Sequence, residues 1–392
     1  MIKRNIRLLE LQEVGQSGLF FLPIMVLYFR DEIGLTYQDF LLTEAIFAAT
    51  IILMEVPSGW LADIWQRRHS LLVASLFWVF GLYLLLIADG FLLAAASQSM
   101  IGVGYALRSG ANTAMLYDTL AVENQVDQFM RLEGRRKGFS LYTAGLASLC
   151  GGFLYELDHA LPLYAAIAFS IVGLIASCFY VEPARARRAI NKNALQDMLA
   201  TVRYALRGHA NVGLVIVLAA VLFSATKNIN FVQQPYYIAL EFPEYVFGLL
   251  LSVGLVLGGF ASHINHRIGR HVSNVQLLAL CWVVAILICG ASALVIDIHG
   301  VVLLMFGGSF IYGIALPRAM DAINKRVGPE RRATILSTAS FGREVVFIPL
   351  SLIVGWMADV YGVSGALFAL TLWLSITGVV LLIWARRSIS NI

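Results

Sequence analysis

Several ionisable and amide side chains stand inside long apolar stretches of this chain, and their spacing groups them. Glu13 and Gln16 are three residues apart and share one helical face. Arg108 and Asn112 are four apart, and Lys227, Asn230 and Gln234 follow at spacings of three and four. Arg343 and Glu344 are adjacent, so on a helix they point in different directions and cannot satisfy each other. A charge at the depth of a lipid bilayer is costly unless paired or hydrated, which makes each of these a functional candidate. Arginine grips a carboxylate through two parallel N–H groups and lysine acts as a point charge, so Arg108 and Lys227 suit an anionic group. Glu13 or Glu344 suits a proton in transit.

These side chains need elements that hold them at depth. Of the 392 residues 59% are hydrophobic and 13% charged, against roughly 45–50% and about 25% in soluble chains. The balance excludes a soluble globule, a disordered chain and a disulfide scaffold. It leaves an all-α membrane protein, because alternating ten-residue barrel segments are absent. Runs long enough to span, about 20 apolar residues each, fall at 6–30, 37–62, 69–89, 91–120, 132–155, 160–181, 210–239, 244–266, 273–296, 300–325, 331–357 and 363–385. Twelve helices are therefore expected, in two halves: 1–181 and 210–392, joined by a polar loop over 182–209. No signal peptide is expected, and Cys150, Cys178, Cys281 and Cys289 form no metal or disulfide spacing.

Charge sets the orientation. Of 28 Lys and Arg, four lie deep inside spans (Arg108, Lys227, Arg318, Arg343) and Arg30 lies where an odd span ends. The other 23 stand at the termini, in loops after even spans or in the span ends that border them, so both termini and the central loop are expected in the cytoplasm. Arg185, Arg187, Arg188, Lys192, Arg203 and Arg207 of that loop read as topology-setting charge rather than a nucleic-acid patch.

A shift of 203 residues lays Gly110 on Gly313, Asp118 on Asp321, Gly152 on Gly355 and Glu156 on Asp359, and DIWQR (Asp63–Arg67) on HRIGR (His266–Arg270). One shift serving several segments argues for a parallel internal repeat, which places a binding site between the halves near mid-membrane. The segment after the second span reads Gly59-Trp-Leu-Ala-Asp63-Ile-Trp-Gln-Arg67-Arg68. It resembles the loop signature of the major facilitator superfamily, departing from it at Ile64 and Gln66. That resemblance covers the whole chain and implies a transporter whose two six-helix halves rock to give alternating access. It also implies that the first, fourth, seventh and tenth helices line a central cavity. Gly59, Asp63, Arg67 and Asp118 are then expected to form a cytoplasmic gate, with Asp63 meeting the start of the eleventh helix.

The likeness to the superfamily's drug/proton exporters is incomplete. Gly102 and Gly104 fit their fourth-helix mark, but Gln98 stands at its arginine; Gly151 and Gly152 fit the fifth-helix mark without its proline. The expected cavity comprises Glu13, Gln16, Arg108, Asn112, Lys227, Asn230, Gln234 and Glu344. Glu55 and Arg343 are expected as a structural charge pair, with Glu44 the other candidate for Arg343. Trp65, Trp78, Trp282 and Trp384 read as a membrane-interface belt or lipid-facing packing rather than as ligand-stacking platforms. Short loops and a single well-kept signature have the look of bacterial efflux-type members. The reading is a proton-coupled exporter of a small organic compound in the bacterial inner membrane. The alternative is a carrier of organic anions such as carboxylate metabolites or siderophores. Neither an enzyme nor a cofactor, metal or nucleic-acid partner is expected, and a functional monomer is.

Overall fold

The computed structural model describes residues 2–183, 210–268, 272–325 and 329–389. Among them every regular element is helical. The first expected span divides into α1 (Ile2–Ser17) and α2 (Met25–Asp31) around a 3-10 turn at Leu22–Ile24. Pro23 stands in the first turn of that segment, where its missing N–H costs nothing, but it cannot continue α1. Then come α3 (Tyr37–Ile64), α4 (Arg67–Leu86), α5 (Phe91–Ala121), α6 (Phe129–Leu157) and α7 (Leu161–Cys178). Beyond the central loop follow α8 (Ala210–Ala239), α9 (Glu244–Ile268), α10 (Asn274–Leu294), α11 (Ile298–Met305), α12 (Ile311–Asn324) and α13 (Pro329–Ile389).

Three of these depart from simple rods. A wider π turn at Phe306–Phe310 joins α11 to α12, so the expected span 300–325 carries an interruption over Gly307-Gly308-Ser309. Such turns displace backbone hydrogen bonds, and Gln233 Nε2 donates to the Leu304 carbonyl at 3.1 Å. The run α13 holds both of the last two expected spans; only Gly362, at φ 69°, leaves the helical region within it, a conformation glycine adopts without penalty. Asp297 caps α11 by accepting the Gly300 N–H at 2.9 Å. The hydrogen bond with His299, reinforced by that of Gly300, holds the Asp297 carboxyl below its ordinary range.

Eight helical stretches among the described residues are long and apolar enough to cross a membrane. Their burial differs in a way that assigns surroundings. The Gly213–Ala239 stretch of α8 is 78% buried and the Glu244–Asn265 stretch of α9 only 22%. A helix apolar on all sides and enclosed is a core helix, whereas α9 turns side chains such as Val256 and Phe260 outward. Trp78 and Trp282, expected at the interface, are instead buried, and Trp282 Nε1 donates to the Leu374 carbonyl at 2.9 Å. A belt position would have left an indole with water as its partner; these are core residues.

The chain forms two compact units. Unit 1 comprises Met1–Leu35, Ile46–Ala194 and Pro243–Ser252; unit 2 comprises Thr36–Ala45, Leu195–Phe242 and Val253–Ile392. In unit 1, α4 lies along α5 and α1 packs on α7 and α6; in unit 2, α8 and α10 pack on α13. The first turns of α3 thus belong to unit 2 and the first turns of α9 to unit 1. The glycines matched by the 203-residue shift serve these two helix starts. A Cβ on Gly152 would stand 2.9 Å from the Glu244 carbonyl oxygen, and one on Gly355 would stand 2.9 Å from Gln38 Cα. In unit 2, Asp359 also accepts the Gln38 N–H at 3.2 Å and so caps α3.

This packing gives a prediction with two signs. Gly152→Ala is expected to lower stability by roughly 1–3 kcal/mol through overpacking. Gly145→Ala, with nothing within 4 Å of its Cβ, is expected to raise it by up to about 1 kcal/mol through helix propensity. Melting temperatures of both variants in detergent check the pair.

Candidate functional site

Within unit 1 the sequence-expected residues gather on Glu13. Its carboxylate is 4% exposed and is met by three cations. Arg136 Nη1 makes a short bond to Oε2, Arg108 Nη1 lies 3.8 Å from the same oxygen, and Lys137 Nζ lies 3.9 Å from Oε1. Arg136 divides its fork. Nε and Nη2 also grip Glu133, at 2.9 and 2.7 Å, and Thr113 Oγ1 donates to Glu133 at 3.4 Å. Two helices supply these partners: α5 carries Arg108 and Thr113, and α6 carries Glu133, Arg136 and Lys137. A buried carboxylate is tolerable because each oxygen faces a cation, the condition under which buried ion pairs repay their desolvation. The Arg108 guanidinium also lies 5.6 Å from the Trp78 ring centre.

Amides extend the cluster toward α4. Gln12 and Gln16 both donate to Ser75 Oγ, at 2.9 and 3.1 Å, and Tyr180 donates its hydroxyl to Gln12 Oε1 at 2.7 Å. Gln16 Oε1 and Asn112 Oδ1 are buried without a hydrogen-bond partner.

Within unit 2 the centre is Lys227 on α8. Its Nζ lies 3.8 Å from Glu44 Oε2 and 3.7 Å from Glu344 Oε2. The ammonium also stands 3.7 Å above the Phe347 ring and 5.9 Å from that of Phe231, cation–π contacts that gain strength away from water. Asn230 goes elsewhere. It accepts Gln233 Nε2 at 3.3 Å, while Tyr237 donates to Gln233 Oε1 at 2.9 Å, beside the π turn. Gln234 is buried on the same helix. Glu44, one candidate partner for Arg343, faces Lys227 instead. Arg343 accepts Ser224 Oγ on its backbone carbonyl at 2.8 Å, and its Nε is buried without a hydrogen-bond partner. Glu55 stands on the part of α3 that belongs to unit 1, and Arg343 in unit 2.

Of the expected gate, Arg67 and Asp118 meet: Arg67 Nε donates to Asp118 Oδ2 at 3.3 Å. Gly59 and Asp63 fall in the last two turns of α3, and their side chains lie outside the described residues. A residue missed by the sequence reading completes the joint. Glu182 accepts the backbone N–H groups of Arg67 and Arg68 at 2.9 and 3.0 Å, capping α4, whose own N-cap Gln66 makes no side-chain bond. In unit 2 the matched position, Asp321, accepts Asn274 Nδ2 at 2.7 Å and Lys325 Nζ at 2.7 Å. Arg318, counted among the charges inside spans, is taken up by this joint. It donates to Asn265 Oδ1 at 2.7 Å, to Asn274 Oδ1 at 3.1 Å and to the Asn265 carbonyl. Arg270, and the side chain of His266, lie outside the described residues, as do Arg185, Arg187, Arg188, Lys192, Arg203 and Arg207 of the central loop. Among the described residues no three His, Cys, Asp or Glu gather as metal ligands.

Arg136 and Glu133 were hidden in the sequence by their company. Arg135-Arg136-Lys137 reads as one basic patch at a membrane boundary. The available signal was rotation: at about 100° per residue only one of three consecutive helical side chains faces a given neighbour. Arg135 and Lys137 are 51% and 60% exposed, and Arg136 is 3% exposed.

No curated protein sequence matches the chain. Solved structures do match its fold. A single-residue variant of the nucleoside transporter NupG is 13% identical, with a TM-score of 0.82, over 98% of this chain and 100% of that one. A peptide transporter of the POT family in complex with sulfate is 14% identical, with a TM-score of 0.75, over 98% and 94%. A D-xylose–proton symporter is 13% identical, with a TM-score of 0.73, over 96% of each. The family model described as Major Facilitator Superfamily matches residues 15–349. With eight membrane-length apolar helices among the described residues, this multi-pass membrane chain belongs to the Major Facilitator Superfamily and is a transporter rather than an enzyme.

Proposed function

We propose that the chain is a proton-coupled secondary transporter that exports a small organic compound. It has twelve membrane helices in two pseudo-symmetric halves, 1–181 and 210–392, joined by a cytoplasmic loop over 182–209, and works by rocker-switch alternating access. The observation that carries the proton coupling is Glu13, a buried carboxylate shared by Arg136, Arg108 and Lys137. Such a group holds a proton or surrenders its place on the cations, and either change alters what the cations bind. Glu344, beside Lys227, is the second carrier. The basic loops after even spans support cytoplasmic termini in a bacterial inner membrane. Arg67 and Asp118, with Gly59 and Asp63, form the cytoplasmic gate. The monomer is the working unit.

Proteoliposomes with a trapped pH dye test this reading. With an imposed pH gradient, tetraphenylphosphonium and a set of small carboxylates are added in turn. At least one is expected to dissipate the gradient through the wild-type protein and not through Glu13→Gln/Glu344→Gln. Solute-driven proton movement that survives in the double variant would remove both carriers. Efflux from loaded everted vesicles, against uptake, reads the direction.

A further inference from the structure

We propose that the Glu13 cluster is an exchange site, in which Arg108 holds either the Glu13 carboxylate or the carboxylate of a small organic anion. In the second state Glu13 carries a proton. The proposal rests on the transporter reading above and names the class of its solute.

Arg108 and Arg136 are unequal partners. The Arg136 side chain is 3% exposed, and Glu13 and Glu133 occupy its fork. The Arg108 side chain is 16% exposed, and its one ion pair, to Glu13, is long at 3.8 Å. Among the described residues it makes no hydrogen bond, though a guanidinium has five N–H donors. Trp78 lies against the group, 5.6 Å from ring centre to guanidinium carbon, without using any donor. A partly reachable arginine fork with unspent donors fits a carboxylate bidentately.

Charge balance gives the coupling. The groups facing Glu13 are Arg108 on α5, Glu133, Arg136 and Lys137 on α6, and Tyr180 after α7, whose hydroxyl goes to Gln12. Glu10 and Arg135 pair with each other. Two carboxylates against three cations leave one positive charge in the resting cluster. A proton taken up on Glu13 ends its hold on Arg108, while Arg136 keeps Glu133. An incoming carboxylate on Arg108 then restores the same total. Proton and anion occupy the cluster together and move in one direction, so the buried charge is unchanged, which avoids the penalty of an unpaired ion, and export then runs down the solute's own gradient.

Two amides refine the solute. Asn112, on the Arg108 face of α5, is 4% exposed, and Gln16, on the Glu13 face of α1, is 3% exposed. The oxygens left without partners on both are acceptors. A carboxylate that also bears a hydroxyl donor satisfies them and keeps its single negative charge, and a plain alkyl carboxylate leaves them unpaired. The solute class is therefore a small hydroxycarboxylate.

Calorimetric titration of the purified full chain with lactate, glycolate and acetate, each in two buffers of different ionisation enthalpy, tests this. Lactate or glycolate is expected to bind with uptake of about one proton per anion, and acetate about tenfold more weakly. Arg108→Gln is expected to weaken binding about 10- to 100-fold. If that variant fails to fold, Arg108→Lys, which keeps the charge and loses the fork, is expected to weaken it about tenfold. Glu13→Gln is expected to bind with no proton uptake. Unchanged affinity in both Arg108 variants, unchanged proton uptake in Glu13→Gln, or no binding of any of the three probes to the wild type overturns the proposal. The two readings fail separately. Tetraphenylphosphonium-driven proton flux without carboxylate binding removes the exchange site and keeps the transporter. Proton-linked lactate binding without movement across proteoliposomes does the reverse.

Discussion

Arg136→Met is expected to cost about 3–5 kcal/mol of stability. The substitution keeps the length and apolar stem of the side chain, so little packing is lost. What is lost is the guanidinium that serves Glu13 and Glu133 together. Glu13 would keep only the two long contacts, 3.8 Å to Arg108 and 3.9 Å to Lys137. A buried carboxylate without a close partner is far more costly than the absence of the whole pair. The triple variant Arg136→Met/Glu13→Gln/Glu133→Gln is therefore expected to recover most of the loss. Thermal unfolding in detergent, followed by tryptophan emission, measures both. A single variant as stable as the wild type would mean that Glu13 is not held by Arg136.

The second large effect is expected at Lys227. Replacing it by glutamine removes the ammonium that lies 3.8 Å from Glu44 and 3.7 Å from Glu344. It also removes the cation over Phe347. Glu44 and Glu344 then lose the cation they face, and solute-coupled proton movement is expected to fall by about 100-fold, the effect of roughly 3 kcal/mol on the coupling equilibrium. Lys227→Arg keeps the charge but is planar and bulkier, and is expected to restore part of the rate. Lys227→Gln/Glu344→Gln is expected to regain stability but not coupling. That separation, read in melting temperature against proteoliposome flux, distinguishes a carrier from a scaffold pair. Wild-type flux in Lys227→Gln would exclude Lys227 from the coupling path.

The helical membrane architecture was legible because hydropathy and helix length share one cause: backbone polar groups must be satisfied inside the segment when no water is present. Charges deep in the spans were legible for the same reason, and Glu13 with Arg108, and Lys227 with Glu344, do come together. Three things were not legible. Arg136 hides in a basic run whose members differ only by rotation about α6. Glu182 serves backbone N–H groups more than a hundred residues away, a contact to main chain that leaves no pattern in side-chain types. Arg318 counted only as a charge inside an apolar span. Its partners Asn265 and Asn274 are neutral amides, and charge counting does not see them. Asn230 shows a related limit. Its spacing from Lys227 is right for a shared face, yet the π turn near Gly308 draws it to Gln233.

The assignment of Pro243–Ser252 to unit 1 and of Thr36–Ala45 to unit 2 bears on how the protein is born. The nascent chain emerges from the ribosome N-terminus first, and domains generally fold as they emerge. Unit 1 cannot finish in that order. Gly152 and the Gly145 carbonyl wait for Glu244 and Ser252, which are made only after the central loop and all of α8. The start of α3 waits longer still, for Asp359, made 321 residues after Gln38, and for Gly355 beside it. Membrane insertion and tertiary assembly are thus separate events in this chain. Helices inserted early remain incompletely packed while later ones are translated.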